Sequence, residues 1–289
     1  MNTQHPLNEH QHQMNEHQLA ALEHEGELAS ALVGEALAVT ASLFRDAGSE
    51  VRRVVDLGSG PGVGTGALVM AFPDATVVAV DNSAAMLQRA AARAAGLGHA
   101  DRVETRLLDL DGDLRSLGSC DLAWAAMSIH HAHDEVATLR ALRSLIAPLG
   151  LLCVLERAEP MSVRCVDELG RAGIWDRLAE AQGRWFEHMR PRLPGAMKAE
   201  VYASMLAEAG LDVVIDRQLA RNVEVPRDPR LHEFIAELLR KSLTNLAPFA
   251  AEDDLQALRE LLEAPPSPGR WEGAQVTISR KLFIAAATS

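Results

Sequence analysis

The sequence predicts an α/β fold, a doubly wound and mostly parallel seven-stranded sheet with helical cap insertions. From residue 51 onward, short β-branched runs alternate with helical segments, a spacing typical of parallel strands joined by right-handed crossovers. With 289 residues, the chain is long enough for one large domain of this class that also carries insertions.

The first half of the chain contains five of the predicted strands. Before them, apolar residues recur three or four positions apart from Leu19 to Leu43, which predicts a helical segment with one buried face. In chain order the following segments are strand RRVVDLG, helix VGTGALVMAF, strand ATVVAVD, helix SAAMLQRAAARAAG, strand RVETRLLDL, strand CDLAWAAMS, helix EVATLRALRSLIAPLG with its stop, and strand LLCVLERAE.

The second half is less regular. Residues 160–198 read as a mostly helical insertion, VYASMLAEAG as a helix, LDVVIDRQLA as the sixth strand and QVTISRKLFIAAAT as the last strand. We expect the insertions to form a cap over the sheet edge where ligands bind in such folds. The predicted divisions are a flexible polar arm at 1–18, N-terminal helices and the cofactor-binding core at 19–157, a helical cap insertion at 158–198, and the remainder of the core at 199–289 with a helical insertion at about 226–270.

Composition narrows the classes of partner. Lys and Arg total 28 against 40 Asp and Glu, and a net charge of −12 repels a phosphate backbone, so we expect no nucleic acid. The three cysteines show no paired spacing, which is typical of reduced thiols. The polar start is unlike a secretory signal, and no apolar run approaches the roughly 18 residues of a membrane span. We therefore expect a cytoplasmic protein without membrane contact.

A glycine-rich stretch, VVDLGSGPGVGT at 54–65, follows the first strand. Gly58, Gly60 and Gly62 leave room for backbone amides to approach a ligand before the next helix begins. The dinucleotide motif GxGxxG, started at Gly58, requires glycine where this chain has Val63.

The spacing of these glycines resembles the acid-x-Gly-x-Gly-x-Gly signature of class I S-adenosylmethionine-dependent methyltransferases. DNSAAML after the second strand, LLDLDG after the third, and CDLAWAAMSIHH followed by an L-x-P-x-G turn are similar to the family's further segments. The resemblance covers about residues 50–157 and implies a Rossmann-like fold, S-adenosylmethionine as cofactor, and the small-molecule, natural-product branch of the family.

The resemblance also implies roles for individual residues. Asp81 would accept both ribose hydroxyls, Met86 would pack on the adenine, and Asp109 would lie near the adenine amine. Asp56 would orient the glycine loop through backbone bonds and hold the methionine amino group. The cofactor-binding residues so implied are Asp56, Gly58, Ser59, Gly60, Asp81, Asn82, Met86, Asp109, Leu110 and Ala126.

The stretch SIHHAHDE, residues 128–135, contains three closely spaced histidines. If the segment is extended, His130 and His131 point to opposite sides, and no acid or thiol has ligand spacing, so we expect no metal site. The resemblance implies that this segment lies beside the transferred methyl group. His130 is then the first candidate for proton acceptor and His131 the second, while His133 is expected to cap the next helix or to lie at the surface. Second-rank candidates for the acceptor side are Glu156, His188 and Tyr202.

Helical spacing in IWDRLAEAQGRWFEHM places one set of residues on a single face, namely Trp175, Leu178, Gln182, Trp185, Phe186 and Met189. This face either packs on the sheet or lines a pocket for a flat, apolar or aromatic metabolite. The candidate substrate residues are Trp175, Trp185, Phe186 and Met189. His24 and Glu27, before the first strand, are expected on a plain surface helix rather than on a lid.

These observations predict an enzyme of specialised metabolism that moves a methyl group to a small, aromatic or apolar acceptor by in-line displacement. The acceptor atom is oxygen, nitrogen or carbon, and the assembly a monomer or homodimer. The alternatives are a nucleotide-cofactor oxidoreductase and a non-catalytic accessory protein that binds S-adenosylmethionine.

Overall fold

The computed structural model describes residues 16–189, 201–225, 229–265 and 270–287. Most of the predicted polar arm, residues 1–15, lies outside these ranges, as does 190–198 of the predicted cap insertion. Residues 16–18, assigned to the arm in the prediction, instead begin the first helix. In chain order the elements are α1 Glu16–Leu28, α2 Ser30–Asp46, β1 Arg53–Leu57, α3 Val63–Ala71, β2 Thr76–Asp81, α4 Ala84–Gly96, β3 Val103–Leu107, β4 Cys120–Ala126, α5 Glu135–Arg143, β5 Ile146–Arg164, α6 Ile174–Met189, α7 Tyr202–Glu208, β6 Leu211–Glu224, α8 Pro229–Leu246, α9 Glu252–Glu263 and β7 Gln275–Ala287.

The strands of the described residues form one seven-stranded sheet in the order β3-β2-β1-β4-β5-β7-β6. Strands β1 to β5 run parallel, whereas β7 is antiparallel to both β5 and β6. The predicted fold class is confirmed. Strand β1 has β2 on one side and β4 on the other, so the strand order reverses between β1 and β4, which is where such sheets bind ligands at their carboxyl ends.

Helices cover both faces of the sheet, so the central strands are apolar on both sides. Val54 of β1 packs in a core with α2 and α3, whereas the adjacent Val55 packs in a second core with α5 and α7. Alternate residues of a strand point to opposite faces, and burial of both faces explains the unbroken apolar runs that marked these strands in the sequence.

Strand β5 is much longer than the sequence predicted. It begins at Ile146, in the segment expected to end a helix, and continues to Arg164, inside the region expected to be a helical insertion. The extension is stabilised by β7, which pairs with β5 as far as Arg164, opposite Gln275. Pro160, which cannot donate a backbone hydrogen bond, lies in the irregular register between Glu159 and Ser162.

The cap helices do not form a separate core. Buried residues of α6, α8 and α9 belong to the same apolar cluster as those of α1 and α2. Helix α1 is also not the plain surface helix that was expected, because His24 is buried and its ring meets Phe234 of α8 edge-on at 6.0 Å. Helix α1 therefore bridges the cap and the core.

Within the described ranges, no single helix has both the length and the apolar composition needed to cross a membrane. Leu19–Leu28 and Ser30–Asp46 meet these criteria only jointly, as a pair bent by 59°.

Candidate active site

The glycine loop between β1 and α3 requires glycine for two separate reasons. Gly58, Gly60 and Gly62 have φ values of 65°, 52° and 83°, a region that residues with side chains rarely adopt. A Cβ on Gly58 would lie 2.4 Å from Cβ of Ser128, and one on Gly62 would lie 2.4 Å from Cα of Ala90. A Cβ on Gly60 would meet no protein atom within 4 Å, so this residue faces open space.

The carboxylate that holds the loop is that of Asp81, at the end of β2. Its Oδ2 accepts a hydrogen bond from the Gly60 amide and its Oδ1 one from the Ser83 amide, each at 2.9 Å. Asp56, expected to orient the loop through backbone bonds, instead accepts a hydrogen bond from the Thr65 hydroxyl of α3 at 2.6 Å. Burial raises the pKa of Asp56 to about 7, and burial also raises the pKa of Asp81.

The remaining predicted cofactor residues lie at the ends of the neighbouring strands. Asn82, after β2, donates a hydrogen bond to Asp109, after β3, at 3.1 Å. Met86 is buried on α4, Leu110 is half-buried after Asp109, and Ala126 is the last residue of β4. The topology thus brings all the predicted cofactor residues to one edge of the sheet.

The histidine segment is not extended, contrary to the expectation. Residues Ile129–His131 form a 3₁₀ turn after Met127, whose φ is 56°. The rings of His130 and His131 lie on the same side, with centroids 3.9 Å apart. Among the described residues, no group of three or more His, Cys, Asp or Glu side chains is placed to hold a metal ion.

His130 is paired with a buried carboxylate. Its Nδ1 lies 2.9 Å from Oε2 of Glu156, whose side chain is 0% exposed. The other oxygen of Glu156 accepts a hydrogen bond from the Ser128 amide at 3.2 Å. With the carboxylate accepting at Nδ1, the neutral imidazole carries its proton there and presents Nε2 as an acceptor.

The two other histidines have different surroundings. Partial desolvation and the adjacent His130 lower the pKa of His131 below its ordinary value, although the residue is exposed at the surface. His133 does not cap α5 and is exposed, which is the second of the two positions expected for it. The capping side chain is that of Asp134, which accepts from the Ala137 amide, while the His133 amide donates to Asp111.

Residues 55–152 match the protein family described as "Methyltransferase domain". The chain is 28% identical to the trans-aconitate 2-methyltransferase of Methylobacterium radiotolerans over 238 residues, which cover 81% of this chain and 86% of that protein. The chain belongs to the class I S-adenosylmethionine-dependent methyltransferases.

Other relatives match this methyltransferase over shorter spans. The trans-aconitate 2-methyltransferase of Enterobacter sp. is 32% identical over 176 residues, 61% of this chain and 62% of that protein. An uncharacterised protein of Synechococcus sp. is 36% identical over 107 residues, 37% of this chain and only 26% of that protein. The chain therefore spans about a quarter of the length of one relative and most of the length of another.

Solved structures share the fold of this methyltransferase. The O-methyltransferase family protein of Burkholderia thailandensis has a TM-score of 0.50 at 15% identity, covering 93% of this chain and 60% of that one. The YcgJ protein of Bacillus subtilis has a TM-score of 0.50 at 14% identity, and the match covers 88% of this chain and 99% of that one. At these identities the likeness concerns the fold.

The cofactor of the methyltransferase is S-adenosylmethionine, and the observed residues fit it. Among the described residues, the buried Oγ atoms of Ser59 and Ser128 and the indole nitrogen of Trp124 have no hydrogen-bond partner. Such atoms usually have partners in folded proteins. The two hydroxyls lie in or beside the glycine loop, where Gly60 leaves open space, so a polar ligand there would satisfy them, whereas the indole nitrogen is buried next to Gly64 of α3.

The predicted substrate residues on α6 have separate positions. Trp175 is buried and donates its indole N–H to the Asp167 carbonyl, so it packs in the core and does not line the adjacent cavity. Trp185 is partly buried and packs against the same core, and Met189 is half-buried at the end of the helix. Phe186 lines a cavity of about 510 Å³ between α6 and the extended strands.

The second-rank candidates for the acceptor side contact neighbouring residues. Tyr202 is buried and donates to Glu135 at 3.1 Å, and His188 stacks at 5.5 Å from Phe249. Sequence reasoning did not identify the pairing of Glu156 with His130, because 26 residues separate them and no local pattern links them. It predicted one buried face for the segment that contains α1, but not the burial of His24.

Replacing Asp81 with alanine is expected to weaken binding of S-adenosylhomocysteine by roughly 1.5 to 3 kcal/mol, the range for hydrogen bonds to a charged group. The change removes the expected ribose acceptor and the observed anchor of the Gly60 amide. Calorimetric titration measures the loss. The control is Asp113→Ala, an exposed carboxylate paired with Arg115. An unchanged affinity for Asp81→Ala would remove this residue from the cofactor site.

Replacing Asp56 with asparagine is expected to change how stability depends on pH. The pKa of Asp56 is raised from 3.8 to about 7, so the stability supplied by its protonated form is complete below the lower value and lost as the pH rises through the upper one. The variant has no ionisable group at this position, so it does not undergo this loss of folding stability. In the wild type the loss is at most about 4 kcal/mol, at 1.36 kcal/mol per pH unit. The melting temperature of the variant minus that of the wild type should therefore rise from pH 5 to pH 8. Exposed Asp74→Asn serves as control, and a difference independent of pH would contradict the assignment.

Proposed function

We propose that this methyltransferase transfers a methyl group to a small-molecule acceptor by in-line displacement and that His130 takes the acceptor's proton. The observation that carries the proposal is the 2.9 Å contact between His130 Nδ1 and the buried Glu156. A carboxylate at Nδ1 fixes the tautomer and stabilises the imidazolium that forms when Nε2 accepts a proton.

S-adenosylmethionine supplies a methyl group already activated by its sulfonium. The protein then has three tasks, which are to align the acceptor, to exclude water and to hold the departing proton. Alignment alone can contribute about 7 to 11 kcal/mol to lowering a barrier. We assign the cofactor to the glycine loop, Asp81 and Asp109, and the acceptor to the side of the sheet beyond β4.

The acceptor is proposed to carry polar as well as apolar groups. The cavity next to α6 is lined on its β5 side from Ala158 onward, two residues after Glu156. Phe186, Glu159, Gln218 and Lys281 also line it. This mixed lining supports an acceptor less uniformly aromatic or apolar than the sequence suggested. The two relatives named for trans-aconitate support a small molecule, and the net charge of −12 argues against nucleic acid.

A screen of small carboxylic acids, phenols and amines with S-adenosylmethionine tests this function. Formation of S-adenosylhomocysteine that depends on both acceptor and enzyme is the expected result, with His130→Ala as the matched control. If no acceptor in any class is methylated while S-adenosylhomocysteine binds tightly, the non-catalytic accessory role is the better description.

A further inference from the structure

Two arginines face each other across β5 and β7. Arg157 and Arg280 are direct cross-strand neighbours. The Arg280 side chain is 2% exposed and that of Arg157 is 16% exposed. Burial lowers the pKa of Arg280 to about 10, with a contribution from Arg157 and against the opposing effect of Glu25. Like charges directly opposite each other destabilise a sheet, so this pair requires an anion.

The anion in the structure comes from helix α1. Oε1 of Glu25 accepts a hydrogen bond from Nη2 of Arg157 at 2.6 Å and one from Nη2 of Arg280 at 2.8 Å. Both guanidinium groups thus converge on one carboxylate oxygen. Two convergent guanidinium groups are a common protein arrangement for binding a carboxylate.

Helix α1 has other ion pairs that hold it to the core. Glu23 pairs with Arg89 of α4 at 2.9 Å, and Glu27 pairs with Arg93 of α4 at 3.5 Å. Attachment of α1 therefore does not depend on Glu25 alone. Burying two arginines carries a large desolvation penalty, so a third ion pair for α1 is a poor explanation of their position.

The arginine pair lies on the acceptor side of the proposed site. β5 is the next strand after β4, away from the glycine loop, and adjacent residues of a strand point to opposite faces, so Arg157 faces α1 while Glu156 faces His130. The separation is short, because the Glu156 carboxylate still contributes to the pKa of Arg280. Helix α1 also covers the start of α3, because a Cβ on Gly26 would lie 3.0 Å from the Val63 side chain. Glu25 is therefore carried by the helix that lies over the loop.

The local charges balance only with Glu25 present. Arg157 and Arg280 face the carboxylates of Glu25 and Glu156, and Glu156 is already engaged by His130 and the Ser128 amide. If the Glu25 side chain rotates away from the arginines, both guanidinium groups lose this carboxylate. A second carboxylate is then needed to keep the buried arginines paired.

We propose that Arg157 and Arg280 bind a carboxylate group of the methyl acceptor, and that the side chain of Glu25 occupies this site until the acceptor arrives. The inference rests on the proposed function and narrows its substrate class to acceptors that carry a carboxylate. Glu25 acts as an internal competitor.

Calorimetric titration with succinate, on protein saturated with S-adenosylhomocysteine and at constant ionic strength, tests the proposal. Glu25→Gln keeps the size of the side chain but removes its charge, and it is expected to bind succinate at least about tenfold more tightly than the wild type. Adding Arg157→Gln to that variant should abolish the gain. The neutral diamide succinamide should bind neither protein. A gain of affinity cannot arise from misfolding, so the single variant decides the question.

The matched control is Glu35→Gln, which breaks the exposed pair between Glu35 of α2 and Arg221 of β6. It should leave succinate binding unchanged. If Glu25→Gln binds succinate no better than this control, or if inorganic phosphate binds more tightly than succinate, the carboxylate site is refuted. If the wild type fails to bind S-adenosylhomocysteine, the proposed function itself fails, and the two failures are therefore distinguishable.

Discussion

Replacing Gly60 with valine is expected to lower the affinity for S-adenosylhomocysteine by more than about 100-fold. The residue faces open space at the edge of the sheet, and a branched side chain there would fill the volume that we assign to the methionine part of the cofactor. Its φ of 52° adds backbone strain on the order of 1 to 3 kcal/mol. Titration of the folded variant measures the loss.

Gly98 provides a matched control for this substitution. It also has a positive φ, 79°, and a Cβ there would also meet no atom within 4 Å, but it lies after α4 and away from the loop. Gly98→Val should cost stability through backbone strain while leaving cofactor affinity unchanged. If both valine variants bind S-adenosylhomocysteine equally well, the space in front of Gly60 is not part of the cofactor site.

Replacing His130 with alanine is expected to lower turnover by about 100-fold or more, the effect of losing a general base. Cofactor affinity should barely change, because the glycine loop and Asp81 do not contact this side chain through any described hydrogen bond. Glu156→Gln should reduce turnover as well, since an amide no longer stabilises a charged imidazolium. Steady-state rates from pH 6 to pH 9, combined with titration, measure these effects.

His133→Ala is the control for this series, because the described bond of His133 to Asp111 uses its backbone amide. It should be nearly silent in both assays, and chelator treatment should leave activity intact. If chelation abolishes turnover and zinc restores it, a metal operates in this segment after all. Full activity of His130→Ala across the whole pH range would show that alignment alone drives the reaction.

The sheet and the cofactor side were predictable because their signals are local. A parallel strand buried on both faces reads as an apolar run, as in Arg53–Leu57 and Thr76–Asp81, and the acid or glycine that follows marks its carboxyl end. These ends meet at one edge in a parallel sheet. Asp56, Asp81 and Asp109 were therefore placed near one another without knowledge of side-chain contacts.

The acceptor side was not predictable in the same way. His130 and Glu156 are 26 residues apart, and Glu25 and Arg280 are 255 residues apart, so only tertiary packing brings them together. The 3₁₀ turn at Ile129–His131 overrode the expected alternation of side chains and placed two rings on one side. Periodicity also did not reveal that β5 extends to Arg164, because its partner β7 lies more than a hundred residues away.

The position of β7 has a consequence for how the chain acquires its structure. In the sheet, β7 lies between β5 and β6, and β6 has its strand partner in β7. The pairing of β5 with β7 joins residues that are distant in sequence, and such pairs form slowly because a long loop must close first. Until Gln275–Ala287 is in place, β5 presents an unpaired edge and β6 has no strand on which to dock. The covering of this edge is therefore a late event, and an intermediate that lacks β7 is the species most exposed to edge-to-edge association.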